Sequence, residues 1–238
     1  YPFFSSREAD SYKGLVLRNS GNDAPSTMFR DGFMQSLLMG KFDVDFLGYQ
    51  PAIVYLNGEY WGILNLRDKI NEHYPATHYG YDPDEIDMLE KEYYFTWGGV
   101  ISGSGESYAA LMNFIESHDL AVEENFEHVT GEIDVEEFLN YYLSQIYFQN
   151  EDWPQNNVKY WRHHGEGGRW RWVLFDTDTG WGRNPVSGNS LEWATRGSTH
   201  DRLIRALLEN KGFRDEFIQR MAAMINTIFL PENVTPVF

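Results

Sequence analysis

Thirteen residues, NEDWPQNNVKYWR from Asn150 to Arg162, hold two acids, two adjacent asparagines, a proline and two tryptophans. Asn157 stands five residues after Asp152. The loop H-R-D-x-x-x-x-N of protein kinases uses that spacing: its acid orients an attacking hydroxyl and its amide reaches back to a metal ion. The same residue types also suit an ordinary turn, because asparagine tolerates left-handed backbone and closes local hydrogen bonds. Spacing alone leaves both readings open.

A second acid comes after a strand-like run, RWRWVLFD from Arg169 to Asp176, which leads into Asp176-Thr177-Asp178-Thr179-Gly180. Alternation along a strand places Trp172 and Leu174 on the same face as Asp176. A buried strand ending in a carboxylate is how kinases present their metal-holding acid. Carboxylates and an amide near one point suit Mg²⁺, a hard cation that takes oxygen ligands and keeps several waters. The candidate ligands are Asp176, Asp178, Asn157 and Asn156. DTDTG also resembles part of a calcium loop, D-x-D-x-[DN]-G, but lacks the third ligand and the glycine position.

Other chemistries fit less well. A glycosidase pairing of Asp152 with Asp176 would leave the two asparagines without a role. There is no H-E-x-x-H, and His163-His164 fall in a glycine-rich turn where a solvated loop is expected. GESYA, Gly105 to Ala109, misses G-x-S-x-G by one residue. The absence of cysteine excludes disulfides and thiolate metal sites. The tryptophans of WRW and DTGWG read as core, since large residues alternate around them.

Any anionic substrate must be met locally, because 36 acids against 19 Lys and Arg give a net charge of −17. Such a field repels nucleic acid. Candidate phosphate contacts are Arg18 at the end of LVLRN, Arg30, Arg67 and Lys69. A kinase strand Lys is steadied by a helix Glu; here Arg18 with Asp31, or with Asp23, would be the analogous pair. Each of these cations equally suits a surface ion pair, worth little to stability.

These residues need a scaffold, and 238 residues with 42% hydrophobic and 16% aromatic content can build one. Lys13–Gly21 reads as a short strand entering a turn, and Pro25-Ser26 as the start of a helix carrying Phe29, Phe33, Met34, Leu37 and Leu38. Pro51–Leu66 reads as a hairpin turning at Asn57-Gly58. Thr96–Ser107, rich in Gly and Ser, reads as an exposed connection. One helix follows on Tyr108, Leu111, Met112 and Ile115. A second starts at an Asp134/Glu137 capping box and runs through Phe138, Leu139, Tyr142, Leu143 and Ile146. After the Val158–Asp176 hairpin, Leu203, Ile204, Leu207 and Leu208, then Phe213, Phe217, Met221, Met224 and Ile228, mark two further helices. The expected organisation is a strand-rich portion over 1–95 and a mainly helical portion over 96–238. No apolar run approaches the roughly 18 residues of a membrane span.

The blocks LVLRNSGND, Arg30-Asp31, VYLNGEYWGILNLRDKI, NEDWPQNNVKYWR and RWRWVLFDTDTGWG, in this order, resemble the CotH kinase family across roughly Lys13 to Gly182. The resemblance implies an α+β, atypical protein-kinase-like two-lobed fold, and ATP- and Mg²⁺-dependent phosphorylation of Ser or Thr on secreted or surface proteins of bacteria. It implies Asp152 as the catalytic acid, Asn157 with Asn156 beside it as the metal-binding amide, and Asp176, with Asp178 as its neighbour, as the metal-binding acid. Arg18 matches the arginine of the family's L-R-N block, and Asp68 stands where relatives commonly carry Glu. Family members carry a Gly/Ser-rich turn and a Lys-rich strand upstream of that block, so an N-terminally truncated kinase-like domain is expected. Two alternatives remain beside the kinase: a non-catalytic surface adhesin or scaffold keeping the fold, and a carbohydrate-associated exported protein.

Overall fold

The computed structural model describes residues 2–5, 7–91, 99–182, 187–196 and 202–237. It is α+β, with two mixed-use sheets and a set of helices packed mainly on the second. The first sheet joins β1 (Leu15–Arg18), β4 (Glu59–Asp68) and β3 (Tyr49–Leu56) in the order β1-β4-β3, all antiparallel. The β3–β4 turn lies at Asn57-Gly58, with φ of 52° and 86°. Both central residues of a tight hairpin turn need positive φ, which glycine and asparagine adopt most cheaply.

The second sheet runs β2-β8-β7-β5-β6, from β2 (Asp45–Phe46), β8 (Arg171–Leu174), β7 (Val158–His163), β5 (Ile86–Lys91) and β6 (Gly99–Ser102). It draws strands from both sides of residue 95, and β2 pairs with β8 in parallel. Its longest-buried neighbour is α5 (Val135–Phe148), whose Phe138, Leu139, Tyr142, Leu143 and Ile146 are all buried. Trp172 and Leu174 of β8 enter that core, whereas Val173 and Phe175 enter a smaller cluster with Leu47, Tyr74, Ile86, Met88 and Trp161. Period-2 alternation thus splits β8 between two cores.

Several expectations are corrected. The first helix, α1 (Arg30–Ser36), begins at Arg30 and not at Pro25-Ser26. Met28 has φ of 67°, which no helix accommodates, and Asp23 accepts from the backbone N–H of Thr27 at 3.2 Å and of Arg30 at 3.1 Å. The acid therefore caps the chain several residues downstream. The Thr96–Ser107 stretch is not a bare connection: Gly99–Ser102 is β6, and Glu106 and Ser107 open α3 (Glu106–Ser117), while 96–98 lie outside the described residues. Hydrogen bonding to β5 overrides the low strand propensity of glycine and serine. The capping box is half formed. Asp134 accepts from Glu137 N at 3.3 Å, but the Glu137 carboxylate turns away to accept from Trp172 N at 2.9 Å. His163 belongs to the end of β7 and stacks on Tyr81 with ring centroids 4.1 Å apart, and His164 meets Asp87 at 2.9 Å.

Further helices fill out the fold: α2 (His73–Tyr79), α4 (Glu123–Glu132), α6 (Ser190–Arg196), α7 (Arg202–Leu207), α8 (Lys211–Ile225) and α9 (Pro231–Val234). Leu203, Ile204, Leu207, Phe213, Phe217 and Met224 join the main core, as the helical spacing predicts. Among the described residues no helix is long and apolar enough to cross a membrane.

Candidate active site

Strand β8 stops at Leu174, and the chain then bends so that Asp176 adopts φ of +52°. The strand alternation therefore does not extend to Asp176; a left-handed residue re-aims its side chain. Left-handed backbone recurs around this point at Ser20, Gln149 and Asn157, with φ of 72°, 53° and 58°. Non-glycine residues pay for that conformation, and such positions cluster where geometry is functionally constrained.

The Asp176 turn receives Arg18 from the end of β1. Arg18 Nη2 donates to Asp176 Oδ1, and to Asp178 Oδ2 at 2.7 Å. Its Nη1 lies 3.7 Å from Asp31 Oδ2. Of the two acids expected as partners for Arg18, Asp31 takes the role, while Asp23 pairs with Arg30 at 3.3 Å. Asp31 reaches the cluster because Gly32 lets α1 press against β3: a Cβ there would lie 2.3 Å from the Tyr49 ring. Asp31 Oδ1 then accepts from Thr177 N at 2.9 Å, Thr177 Oγ1 at 3.1 Å and Gln35 Nε2 at 2.6 Å. Gly21 brings backbone against Asp178 in the same way. A Cβ at Gly21 would sit 2.2 Å from Asp178 Oδ2, and the next amide, Asn22 N, donates to that oxygen at 2.8 Å.

Burial and charge set the ionisation of these acids. Desolvation pushes Asp176 from an ordinary value of 3.8 up to about 6; Arg18 pulls it down, and Asp178 and Asp31 add to the rise. Asp31 is desolvated too, yet Arg67, Arg18 and the Thr177 hydrogen bonds outweigh burial and hold it below the usual carboxylate range. Arg67 is drawn down by its own burial. At 3.2 Å from Asp31 the pair nonetheless stays ionised, because a guanidinium does not lose its proton in proteins.

The loop that begins at Asn150 is fastened to the Asp176 turn. Asn150, a residue that sequence reasoning did not single out, is buried at the end of α5. Its amide donates to Gln145 Oε1 at 2.9 Å and to the Asp176 carbonyl at 3.2 Å, and its oxygen accepts from Thr179 Oγ1. Thr179 Oγ1 in turn faces Asp152 N at 3.4 Å. Trp153 anchors the loop, buried edge-on against Tyr142 with ring centroids 4.5 Å apart. Asp152 is thereby held beside the Asp176–Thr179 segment and stays partly exposed.

The remaining candidates divide. Arg30 donates to the Gly180 carbonyl at 3.0 Å, on the rim of the same turn. Arg67 faces inward, with a side chain only 2% exposed, and serves Asp31. Lys69 is exposed beside Gly14, outside the cluster. Asn156 and Asn157 close the Asp152 loop, Asn156 N donating to Asp152 O at 2.9 Å. No hydrogen bond among the described residues joins either asparagine to Asp176 or Asp178. Asp68 accepts from Gly48 N at 2.6 Å and meets His78 Nε2 at 3.2 Å.

The donor set fits a hard divalent cation. Asp178 Oδ1 is buried with no hydrogen-bond partner, in a residue 1% exposed, beside a second carboxylate that still reaches solvent. A buried carboxylate oxygen without a partner is costly unless something charged meets it. Among the described residues no three His, Cys, Asp or Glu side chains group as a metal site. Mg²⁺ commonly takes one or two carboxylates and keeps several waters. Set against known families, the CotH kinase protein family model matches residues 4–237, nearly the whole chain. No curated protein matches the chain.

Proposed function

The chain belongs to the CotH kinase protein family, and from that premise we propose that it transfers the γ-phosphoryl group of ATP to a Ser or Thr hydroxyl of an exported or surface protein. The observation that carries this reading is the unpartnered Asp178 Oδ1 beside Asp176, on a turn hydrogen-bonded to the Asp152 loop. In this reading Asp152 orients the acceptor hydroxyl and takes its proton as the oxygen bonds to the γ-phosphorus. The bond to the β-phosphate oxygen breaks, and ADP leaves. Asp176 and Asp178, with Asn157 or Asn156 from the loop, would hold Mg²⁺, which supplies charge neutralisation on the phosphate oxygens. Arg30, on the rim, is placed to meet phosphate, as is Arg18 once freed from the acids. Positioning and electrostatics carry most of the catalysis in phosphoryl transfer. The reading extends to a secreted or cell-surface location in a bacterium, and to one domain of two portions, strand-rich over 1–95 and mainly helical over 96–238, tied together by the five-stranded sheet.

Incubation with γ-labelled ATP and Mg²⁺ tests this. Label should enter the protein or a hydroxyl-bearing protein substrate, and D152A and D176A should each lower incorporation by at least ~100-fold. Incorporation unchanged in both variants sinks the assignment.

One observation favours a second reading, the non-catalytic adhesin or scaffold. The β3–β4 hairpin exposes Ile53, Tyr55, Leu56, Tyr60 and Trp61, the last at 65%. Exposed apolar patches of this kind mark interaction surfaces. That reading predicts no metal-dependent nucleotide binding, which calorimetry with ATP and Mg²⁺ decides.

A further inference from the structure

Resting on the cation site proposed above, one arrangement in it calls for more than binding. A single nitrogen, Arg18 Nη2, donates to both Asp176 Oδ1 and Asp178 Oδ2. It thus occupies the space between the two carboxylates that a shared cation would need. Arg18 is not the only positive group on hand. Asp31, the third acid in contact, is compensated independently by Arg67 at 3.2 Å, by both Thr177 donors and by Gln35. Asp178 Oδ2 also accepts from the Asn22 amide at 2.8 Å, a bond in which Arg18 takes no part. The Arg18 side chain is 20% exposed, against 2% for Arg67, so it has a route to solvent that Arg67 lacks.

The charges point the same way. Three acids, Asp31, Asp176 and Asp178, face two guanidiniums, Arg18 and Arg67. A divalent cation added to that set overshoots to net positive and sets like charges on one pair of carboxylates. Releasing Arg18 brings the buried cluster back to neutrality.

We propose that Arg18 is an internal counter-ion that competes with the divalent cation for Asp176 and Asp178. Cation binding turns the guanidinium away from the acids toward the anionic phosphates of the nucleotide, for which its planar fork is suited. Cation and nucleotide then bind cooperatively through this one side chain, and the coupling is reciprocal. Arg18 is a positioning residue in this scheme.

Mn²⁺ titration followed by the electron paramagnetic resonance of the free ion reads this without catalysis. In the absence of nucleotide, R18M should bind Mn²⁺ about tenfold or more tightly than the unaltered chain, because the competitor is gone. A non-hydrolysable ATP analogue should tighten Mn²⁺ binding by about tenfold in the unaltered chain and far less in R18M. R18K, which keeps the charge but loses the fork, should fall between them and guards against misfolding of R18M. Mn²⁺ binding that is unchanged or weaker in both Arg18 variants overturns the proposal while leaving the cation site standing. Binding by none of the proteins, with D176N and D178N as controls, overturns the cation site and this inference together.

Discussion

Strand β8 carries an arginine-centred acid cluster at each end, and the two clusters differ in kind. At its start, Arg171 bonds Asp43 at 2.6 Å, Asp45 at 3.3 Å and Asp134. Just past its end, Asp176 and Asp178 hold Arg18. Around Arg171 the buried acids are held by neighbours, although Glu137 Oε1 too lacks a hydrogen-bond partner and Asp43 lies largely exposed. Asp45 accepts from Trp161 Nε1 at 2.8 Å and from the Tyr79 hydroxyl, while Glu137 accepts from Trp172 N. Burial pushes the Glu137 carboxyl well above the ordinary carboxylate range, against the pull of Arg171 and the Trp172 hydrogen bond. Arg171 thereby ties β2, the cap of α5 and β8 into one unit. Around Arg18, Asp176 sits on left-handed backbone and is reachable from solvent, and Asp178 keeps an unpartnered oxygen. Similar composition makes a fastener in one place and a candidate binding site in the other. What separates them is that the unpartnered oxygen of Asp178 lies on the same turn as Asp176, an acid that reaches solvent.

The sharpest way to break this comparison is to remove each arginine. R171M should lower stability by about 3 kcal/mol, since stripping one partner leaves carboxylates uncompensated in a largely buried place. Chemical denaturation would show it as a fall in midpoint, and an unchanged midpoint would erase the structural role. Protein that remains folded should keep its Mn²⁺ affinity, in contrast to R18M.

The next effect is pH-dependent. Asp176 has a folded value of about 6 against an ordinary 3.8, so its protonated form favours the fold below pH 3.8 and that advantage is lost as pH rises through 6. Above that window the ionised side chain burdens the fold. D176N should therefore raise stability at pH 7.5 by on the order of 2 kcal/mol, with most of the gain gone at pH 4. A gain equal at both pH values would mean that Asp176 ionises normally.

The smallest effect concerns the joint between the loops. N150A removes the acceptor of the Thr179 hydroxyl and the side-chain donor to the Asp176 carbonyl, at a cost of about 1–2 kcal/mol. It should also lower kcat of the proposed phosphoryl transfer more than it raises KM for ATP. A pure stability loss with unaltered kinetics would confine Asn150 to a structural part.

Elements written in short-range pattern were legible in the sequence. Asn57-Gly58 dictates the hairpin turn, and the helical spacing in α3, α5, α7 and α8 is visible because side chains three and four apart share a face. The Asp152–Asn157 spacing and the acids after β8 were also readable, as was a pairing of Arg18 with one of two acids, Asp31 or Asp23. Short β2, β5 and β6 were missed, because their identity comes from partners in the five-stranded sheet and not from their own residues. The start of α1 was misplaced because the acid that caps it lies seven residues upstream.

The sequence by itself thus determined the local elements, the family and the residue types available for chemistry. Only the tertiary structure decided that Arg18 meets acids some 158 residues away, that Arg67 turns inward to Asp31, and that Asn150 joins the two loops. The physical reason is that periodicity and turn chemistry act over a few residues. A charge's partner, and whether its carboxylate has an oxygen left to offer, are set by how distant segments pack.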